Sequence, residues 1–227
     1  LIVACADICK IWSLSKVTLK LTQFADSSLS TAFDAVVRNF SMKKKKSEFN
    51  AVFGSRKNIK SSDLGFIVIA MGKMGAFELN YSSDIDFNVF YDSKIFGKDQ
   101  LLTFQPILIK ITKDVIKLMS EINEEGYIFR CDLRLRPEPS VNPVCMSVKF
   151  ALQYYREKGR TWERSAYIKA RAVAGDISKG NSFLTDLEPF IWRKKLNYFA
   201  IQDTQEIRKK IARKEGKSHK VGVLGFN

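Results

Sequence analysis

Two aspartates, Asp84 and Asp86, stand two residues apart at the start of the largely apolar run Ile85 to Tyr91, one just before it and one inside it. Side chains alternate along a strand, so both carboxylates leave the same face while Ile85, Phe87 and Val89 take the other. Two carboxylates that close repel, and a divalent cation with a preference for oxygen ligands, such as Mg2+, would neutralise them. Asp-x-Asp alone fits a solvated strand end better than a metal site. Its surroundings add chemistry: Gly72-Lys73-Met74-Gly75 lies just upstream, and a glycine turn lets backbone amides approach phosphate oxygens while Lys73 supplies charge. Ser82 and Ser83 place two hydroxyls immediately before Asp84. No G-x4-G-K-[ST] string occurs, so this is not a P-loop.

A second alternating run, Phe129 to Arg136, puts Phe129, Cys131, Leu133 and Leu135 on one face and Arg130, Asp132, Arg134 and Arg136 on the other. This reads either as a salt-bridged outer face or, beside the Asp84 strand, as the source of a third carboxylate, Asp132, with arginines for phosphate. A Ser-His-Asp or Cys-His mechanism has no support: the sole histidine, His219, sits in a lysine-rich segment.

Three strands are expected to carry these residues: Phe66 to Met71, a continuous apolar run typical of a buried strand, Ile85 to Tyr91, and Tyr127 to Leu135. Leu108, Ile111, Val115 and Leu118 mark a long amphipathic helix within Leu101 to Ile122. Residues Asp7 to Phe40 show helical spacing, with a break and a new start expected at Asp26-Ser27-Ser28. Lys43 to Lys46 and the polar residues up to Asp63 read as a solvated loop or helix end. Further helices are expected over Ser147 to Lys158, Thr161 to Ala174 and Ser182 to about Lys214, with Ser147 and Thr161 as N-caps. On the second of these, Trp162, Ala166 and Val173 form a core stripe, while Lys169 and Arg171 either share that plain helix surface or reach phosphates.

The 227 residues hold 38 Lys and Arg against 24 Asp and Glu, a net charge of +14. Such an excess would suit anionic partners, yet no motif marks a nucleic-acid-binding fold, and the Lys-, Ile- and Asn-rich composition accounts for much of it. Cys5, Cys9, Cys131 and Cys145 are too scattered for a disulfide framework or a zinc site, which fits a reducing, cytoplasmic setting. No apolar run is long enough to span a membrane. The chain starts at Leu1 and stops at Asn227 without a polar tail, and reads as a piece of something longer.

The strings G-K-M-G-A-F-E-L-N-Y-S-S-D-I-D-F, F-R-C-D-L-R-L-R-P and W-E-R-S-A-Y-I-K-A-R-A-V-A-G-D, in that order, closely resemble the glutamine synthetase adenylyltransferase/adenylyl-removing family. The resemblance runs from about Gly65 to Asn227 and implies an α+β fold. That fold is a polymerase β-type nucleotidyltransferase domain with a small mixed sheet and flanking helical regions. Residues 1–64 would be a helical lead-in, 65–146 the nucleotidyltransferase sheet core, and 147–227 a helical domain incomplete at its C-terminal end. By the resemblance Asp84, Asp86 and Asp132 hold Mg2+ and are catalytic. Gly72, Lys73, Gly75, Ser82, Ser83, Arg134, Lys169 and Arg171 would bind the nucleotide, which is ATP, or ADP and phosphate. The implied protein substrate is a tyrosine of glutamine synthetase, with a nitrogen-signalling protein as a regulatory partner of the full-length enzyme. S-S-D-I-D looks more like the half that removes the adenylyl group by phosphorolysis. Ala76, Phe77 and Cys131 depart from the family pattern, where glycine, a polar residue and valine are usual. The rival expectation is an inactive fragment, or a basic module that docks on glutamine synthetase or nucleic acid.

Overall fold

The computed structural model describes residues 1–43, 58–124 and 126–192. Most of the lysine run, the segment beyond Trp192 and His219 lie outside the described residues. Two helices come first, α1 (Ile2–Ile8) and α2 (Leu14–Lys43). They are followed by β1 (Phe66–Ala70), a one-turn helix α3 (Gly72–Gly75), β2 (Ile85–Tyr91) and α4 (Lys98–Ser120). The chain continues through β3 (Cys131–Asp132), β4 (Cys145–Ser147), α5 (Val148–Glu157), α6 (Thr161–Tyr167), β5 (Arg171–Gly175) and α7 (Ile177–Ile191).

The protein is α+β, built on one small mixed sheet in the order β3-β2-β1-β5, with β4 also pairing with β2. β1 runs antiparallel to both β2 and β5, while β3 and β4 run parallel to β2 along its other edge. All five residues of β1 are buried, as a strand covered on both faces requires. Phe66, Val68, Phe87, Val89 and Tyr91 pack on one face with Leu29, Phe33 and Val37 of α2 and Leu108, Ile111 and Val115 of α4. Ile67, Ile69, Phe90 and Met146 pack on the other with Tyr155 of α5, Tyr167 of α6 and Phe183 and Leu187 of α7. Helices therefore cover the sheet on both sides, and the polar positions of β2 emerge at one end of the second face.

Four local expectations are corrected. No break occurs at Asp26-Ser27-Ser28: α2 is continuous for 30 residues. Ala25, Leu29, Phe33 and Val37 keep one i,i+4 stripe fully buried across that point, so packing overrides the cap-like composition. α2 also begins only at Leu14, after a separate α1. The third strand is two residues long instead of nine. The amides of Ile128 and Phe129 donate to Met119 O, and Asp132 Oδ1 accepts from the Arg134 amide at 2.8 Å, so both flanks turn away from the ladder. The helix expected over Thr161 to Ala174 ends at Tyr167, and Arg171–Gly175 is an edge strand on β1. The sheet thus draws one strand from 147–227, a stretch expected to be helical.

The helix at Ser147 forms as expected, with the serine hydroxyl accepting from the Phe150 amide at 3.2 Å. At the next helix the cap is Arg160 and not Thr161, its amide donating to the Glu163 carboxylate at 2.7 Å. The last helix starts five residues before Ser182, capped by Asp176.

Candidate active site

Four strand ends meet at one end of the sheet. β1 stops at Ala70 and turns into α3, β2 starts beside Asp84, β3 carries Asp132, and β5 begins at Arg171. Residues Asp86 and Asp132 are register partners across the parallel β2–β3 pair, as are Ile85 and Cys131. Adjacent strands lie about 4.8 Å apart, so the two carboxylates project from neighbouring positions on one face. Asp84 leaves that same face one step earlier. Of the three carboxylates expected to converge, Asp86 and Asp132 are side by side in backbone register, with Asp84 just before the start of β2.

The three carboxylates differ in their partners. Asp84 accepts from Arg130 Nε, and the same guanidinium donates to Ser82 O at 2.6 Å. Asp132 is gripped by Arg134, whose Nε donates to Oδ2 at 2.8 Å and whose own amide donates to Oδ1. That hydrogen bonding holds the Asp132 carboxyl below its usual range. Asp86 makes no side-chain hydrogen bond or ion pair among the described residues. Burial, then the charges of Asp132 and Asp84, push its pKa up to about 6 against the weaker pull of Arg134 and Lys73. The centre of the site is a half-buried carboxylate with two like charges beside it and no protein cation of its own.

Among the described residues, no group of three His, Cys, Asp or Glu side chains is gathered closely enough to hold a metal ion as it stands. Arg130 and Arg134 occupy the outer two carboxylates, and both guanidinium groups are largely exposed, at 54% and 80% of the side chain. Guanidinium groups this exposed are screened by solvent and exchange partners at little cost. The oxygen-only donor set suits Mg2+ in its chemistry, with Asp86 the position left without a counter-charge.

The glycine turn is packed against the carboxylates. Gly72 has φ +53°, and a Cβ there would lie 2.7 Å from Asp86 Oδ2. A Cβ at Gly75 would lie 2.2 Å from Lys169 O, so Gly75 serves close backbone approach to the segment before β5. Lys73 is exposed and near enough to Asp86 to lower its pKa. Asn80 organises the serine turn: its side-chain oxygen accepts from Ser83 Oγ at 2.7 Å and from the Ser82 amide at 3.2 Å.

Two expected nucleotide ligands are engaged elsewhere. Lys169 Nζ lies 3.0 Å from both carboxylate oxygens of Glu78, on the surface. Arg171 donates to Met74 O and Asp26 Oδ1, each at 2.9 Å, and to Gly75 O at 3.2 Å, with its guanidinium 3.9 Å from the centre of the Phe77 ring. The W-E-R-S-A-Y segment is mostly framework. Glu163 is fully buried and accepts from Tyr154 Oη, and Tyr167 Oη accepts from Tyr155 Oη and from Asn88 Nδ2. Asn88, two residues beyond Asp86, also donates to Leu135 O at 3.2 Å, tying β2 to the chain after β3. Sequence reasoning left Asn88, Asp26 and Arg130 out of the site set. A buried polar residue inside an apolar strand was the signal for Asn88.

Residues 1–186 match the family model described as glutamate-ammonia ligase adenylyltransferase. The chain is 38% identical over 227 residues to a bifunctional glutamine synthetase adenylyltransferase/adenylyl-removing enzyme of Bradyrhizobium sp. (strain BTAi1), covering all of this chain and 22% of that protein. It is 40% identical to the enzyme of the same description from Bradyrhizobium diazoefficiens, again over the whole chain and 22% of the relative. With the Caulobacter vibrioides protein the identity is 40%, over 93% of this chain and 21% of the relative. The chain thus spans about a fifth of the length of the curated relatives it matches. With more than half of its residues matched by the family model, this chain belongs to the glutamate-ammonia ligase adenylyltransferase family.

Proposed function

We propose that this chain carries a nucleotidyltransferase site of the polymerase β type that moves an adenylyl group to or from a tyrosine of glutamine synthetase, in the deadenylylating direction. The observation that carries the reading is Asp86, a carboxylate held half-buried near two others with no ion pair of its own among the described residues, beside a glycine turn. The S-S-D-I-D string favours removal over transfer. Relatives named as bifunctional glutamine synthetase adenylyltransferase/adenylyl-removing enzymes support the protein substrate. A nitrogen-signalling regulator belongs with the longer enzyme. The proposed location is the cytoplasm; among the described residues no helix is long and apolar enough to cross a membrane.

In this reading Asp84, Asp86 and Asp132 are the residues that would hold Mg2+, which when bound supplies charge neutralisation at the phosphates and a lowered pKa for the attacking oxygen. Arg130 and Arg134 leave the outer carboxylates and turn to phosphate oxygens, Arg134 with a geometry suited to two parallel hydrogen bonds. Gly72 to Gly75 present backbone amides to the phosphates, Lys73 adds charge, and the Ser82 and Ser83 hydroxyls donate beside Asp84. Lys169 reaches the phosphates only by leaving Glu78, whereas Arg171 acts from beneath the turn. In the removal direction an inorganic phosphate oxygen attacks the phosphorus of adenylyl-tyrosine. A new P–O bond forms, the bond to the tyrosine oxygen breaks, and ADP and the free tyrosine hydroxyl leave. The residues accelerate either direction by positioning and by stabilising charge as it develops.

Incubating the protein with adenylylated glutamine synthetase, phosphate and Mg2+ tests this directly. ADP release abolished by Asp84→Asn/Asp86→Asn is the expected result. No ADP above background, together with adenylyl incorporation from ATP into unmodified glutamine synthetase, would reassign the direction. Absence of both reactions and of Mg-nucleotide binding would remove the enzyme reading in favour of an inactive module.

A further inference from the structure

The helical lead-in bears on the same sheet end as the carboxylates. Thr22 and Asp26 stand four residues apart on α2, hence on one face of the helix. Thr22 is fully buried and its hydroxyl oxygen accepts the Leu79 amide at 3.3 Å, while the same hydroxyl donates to Thr18 O at 2.8 Å. Asp26 pairs with Arg171 at 2.9 Å, both side chains only 21% exposed. That guanidinium holds the carbonyls of Met74 and Gly75 and covers the ring of Phe77, which sits at φ +61°. A phenylalanine in the left-handed region is strained, and the stacked guanidinium stands where it offsets that strain.

We infer that Asp26 and Thr22 are positioning residues for the nucleotide-binding turn: α2 holds both ends of Gly72 to Leu79, one through Arg171 and the other directly through the Leu79 amide. Arg171 is then a clamp beneath the turn and not a phosphate ligand. Its guanidinium donates to two carbonyls and one carboxylate at once, a geometry lysine cannot reproduce. The inference rests on the proposed nucleotide site for its effect on binding, and on the hydrogen bonds alone for its effect on the turn.

The two readings of Arg171 differ in sign. If Arg171 contacted phosphate, Asp26→Asn would release it from a competing anion, leaving nucleotide affinity unchanged or tighter. A clamp loses its anchor, and Mg-ADP binding weakens by about tenfold. Asp26→Glu restores most of the affinity, whereas Arg171→Lys does not.

Hydrogen exchange on the nucleotide-free chain supplies the independent arm. The amides of Gly75, Ala76, Glu78 and Leu79 are bonded to Met71 O, Gly72 O, Lys73 O and Thr22 Oγ1, so exchange there should accelerate in Asp26→Asn and Thr22→Val. Helix α5 should exchange as in the wild type. Unchanged exchange in the turn overturns the clamp. Accelerated exchange with unchanged or tighter Mg-ADP binding overturns the positioning role. If the wild type binds no Mg-ADP at all, the proposed function fails, and the exchange arm alone decides the clamp.

Discussion

Replacing Gly72 by alanine places one methyl group against the centre of the site. The new Cβ would sit 2.7 Å from Asp86 Oδ2, and ordinary contact begins near 3.4 Å, so carboxylate and turn must separate by about 0.7 Å. Alanine at φ +53° adds a backbone penalty of about 1 kcal/mol. In a domain of this size that lowers Tm by roughly 3 °C. The functional loss is far larger, because displacing a reacting constellation by about 1 Å costs on the order of a hundredfold in rate. Gly72→Asn separates the two effects, since asparagine tolerates the left-handed backbone and still carries the Cβ. ADP release from adenylylated glutamine synthetase, read beside thermal unfolding, should show both variants slow and only the alanine clearly less stable. Wild-type turnover in either variant would refute the close coupling of turn and carboxylate.

Asp86 also sets a pH signature. Its folded pKa, about 6, lies above the ordinary value, so the folded chain takes up a proton that the unfolded chain lacks and loses stability as pH rises through about 4 to 6. Asp86→Asn should therefore raise Tm at pH 7.5, raise it less at pH 5, leave it unchanged below about pH 4, and abolish metal-dependent nucleotide binding; a lowered Tm at pH 7.5 would contradict the repulsion described. Asp132 behaves oppositely: Arg134 holds its pKa down, so that pair stabilises above the ordinary carboxylate range and is lost as pH falls. Arg134→Ala should change Tm little, since solvent screens the largely exposed guanidinium, while weakening Mg-ADP binding several-fold in calorimetry. Glu163→Gln disturbs a buried acceptor of the Arg160 amide and the Tyr154 hydroxyl, and should lower stability by about 1–3 kcal/mol with nucleotide affinity intact. A specific loss of nucleotide affinity there would return the W-E-R motif to the site.

The sheet core was legible where a single local rule governed it. The unbroken apolar run of β1, the alternation around Asp84 and Asp86, and the i,i+4 stripe of α4 each declare their partners without tertiary help. The glycine turn was legible for the same reason, and the structure gives Gly72 and Gly75 separate tasks. The register of Asp132 beside Asp86 was legible only as a condition, because nothing local brings β3 to β2. Its expected length failed because the aspartate side chain captures the Arg134 amide and ends the ladder after two residues. Strand β5 escaped because Arg-Ala-Val-Ala-Gly has no strong strand preference; it is extended because β1 offers an edge and Gly175, at φ +74°, lets the backbone pass close to Phe66 O. The role of α2 was invisible for a different reason. Asp26 and Arg171 are 145 residues apart, and an aspartate between two serines and an alanine looks like a cap until its partner is in view.

Electron paramagnetic resonance with Mn2+ in place of Mg2+ reads the central claim most directly, because it counts the cation at the carboxylates without depending on the protein substrate. In the presence of ADP at pH 7.5, the wild-type chain should bind Mn2+ stoichiometrically, Asp84→Asn/Asp86→Asn should bind none, and wild-type binding should weaken as pH falls and protons compete for the carboxylates. Equal Mn2+ binding by wild type and the double variant would contradict the site.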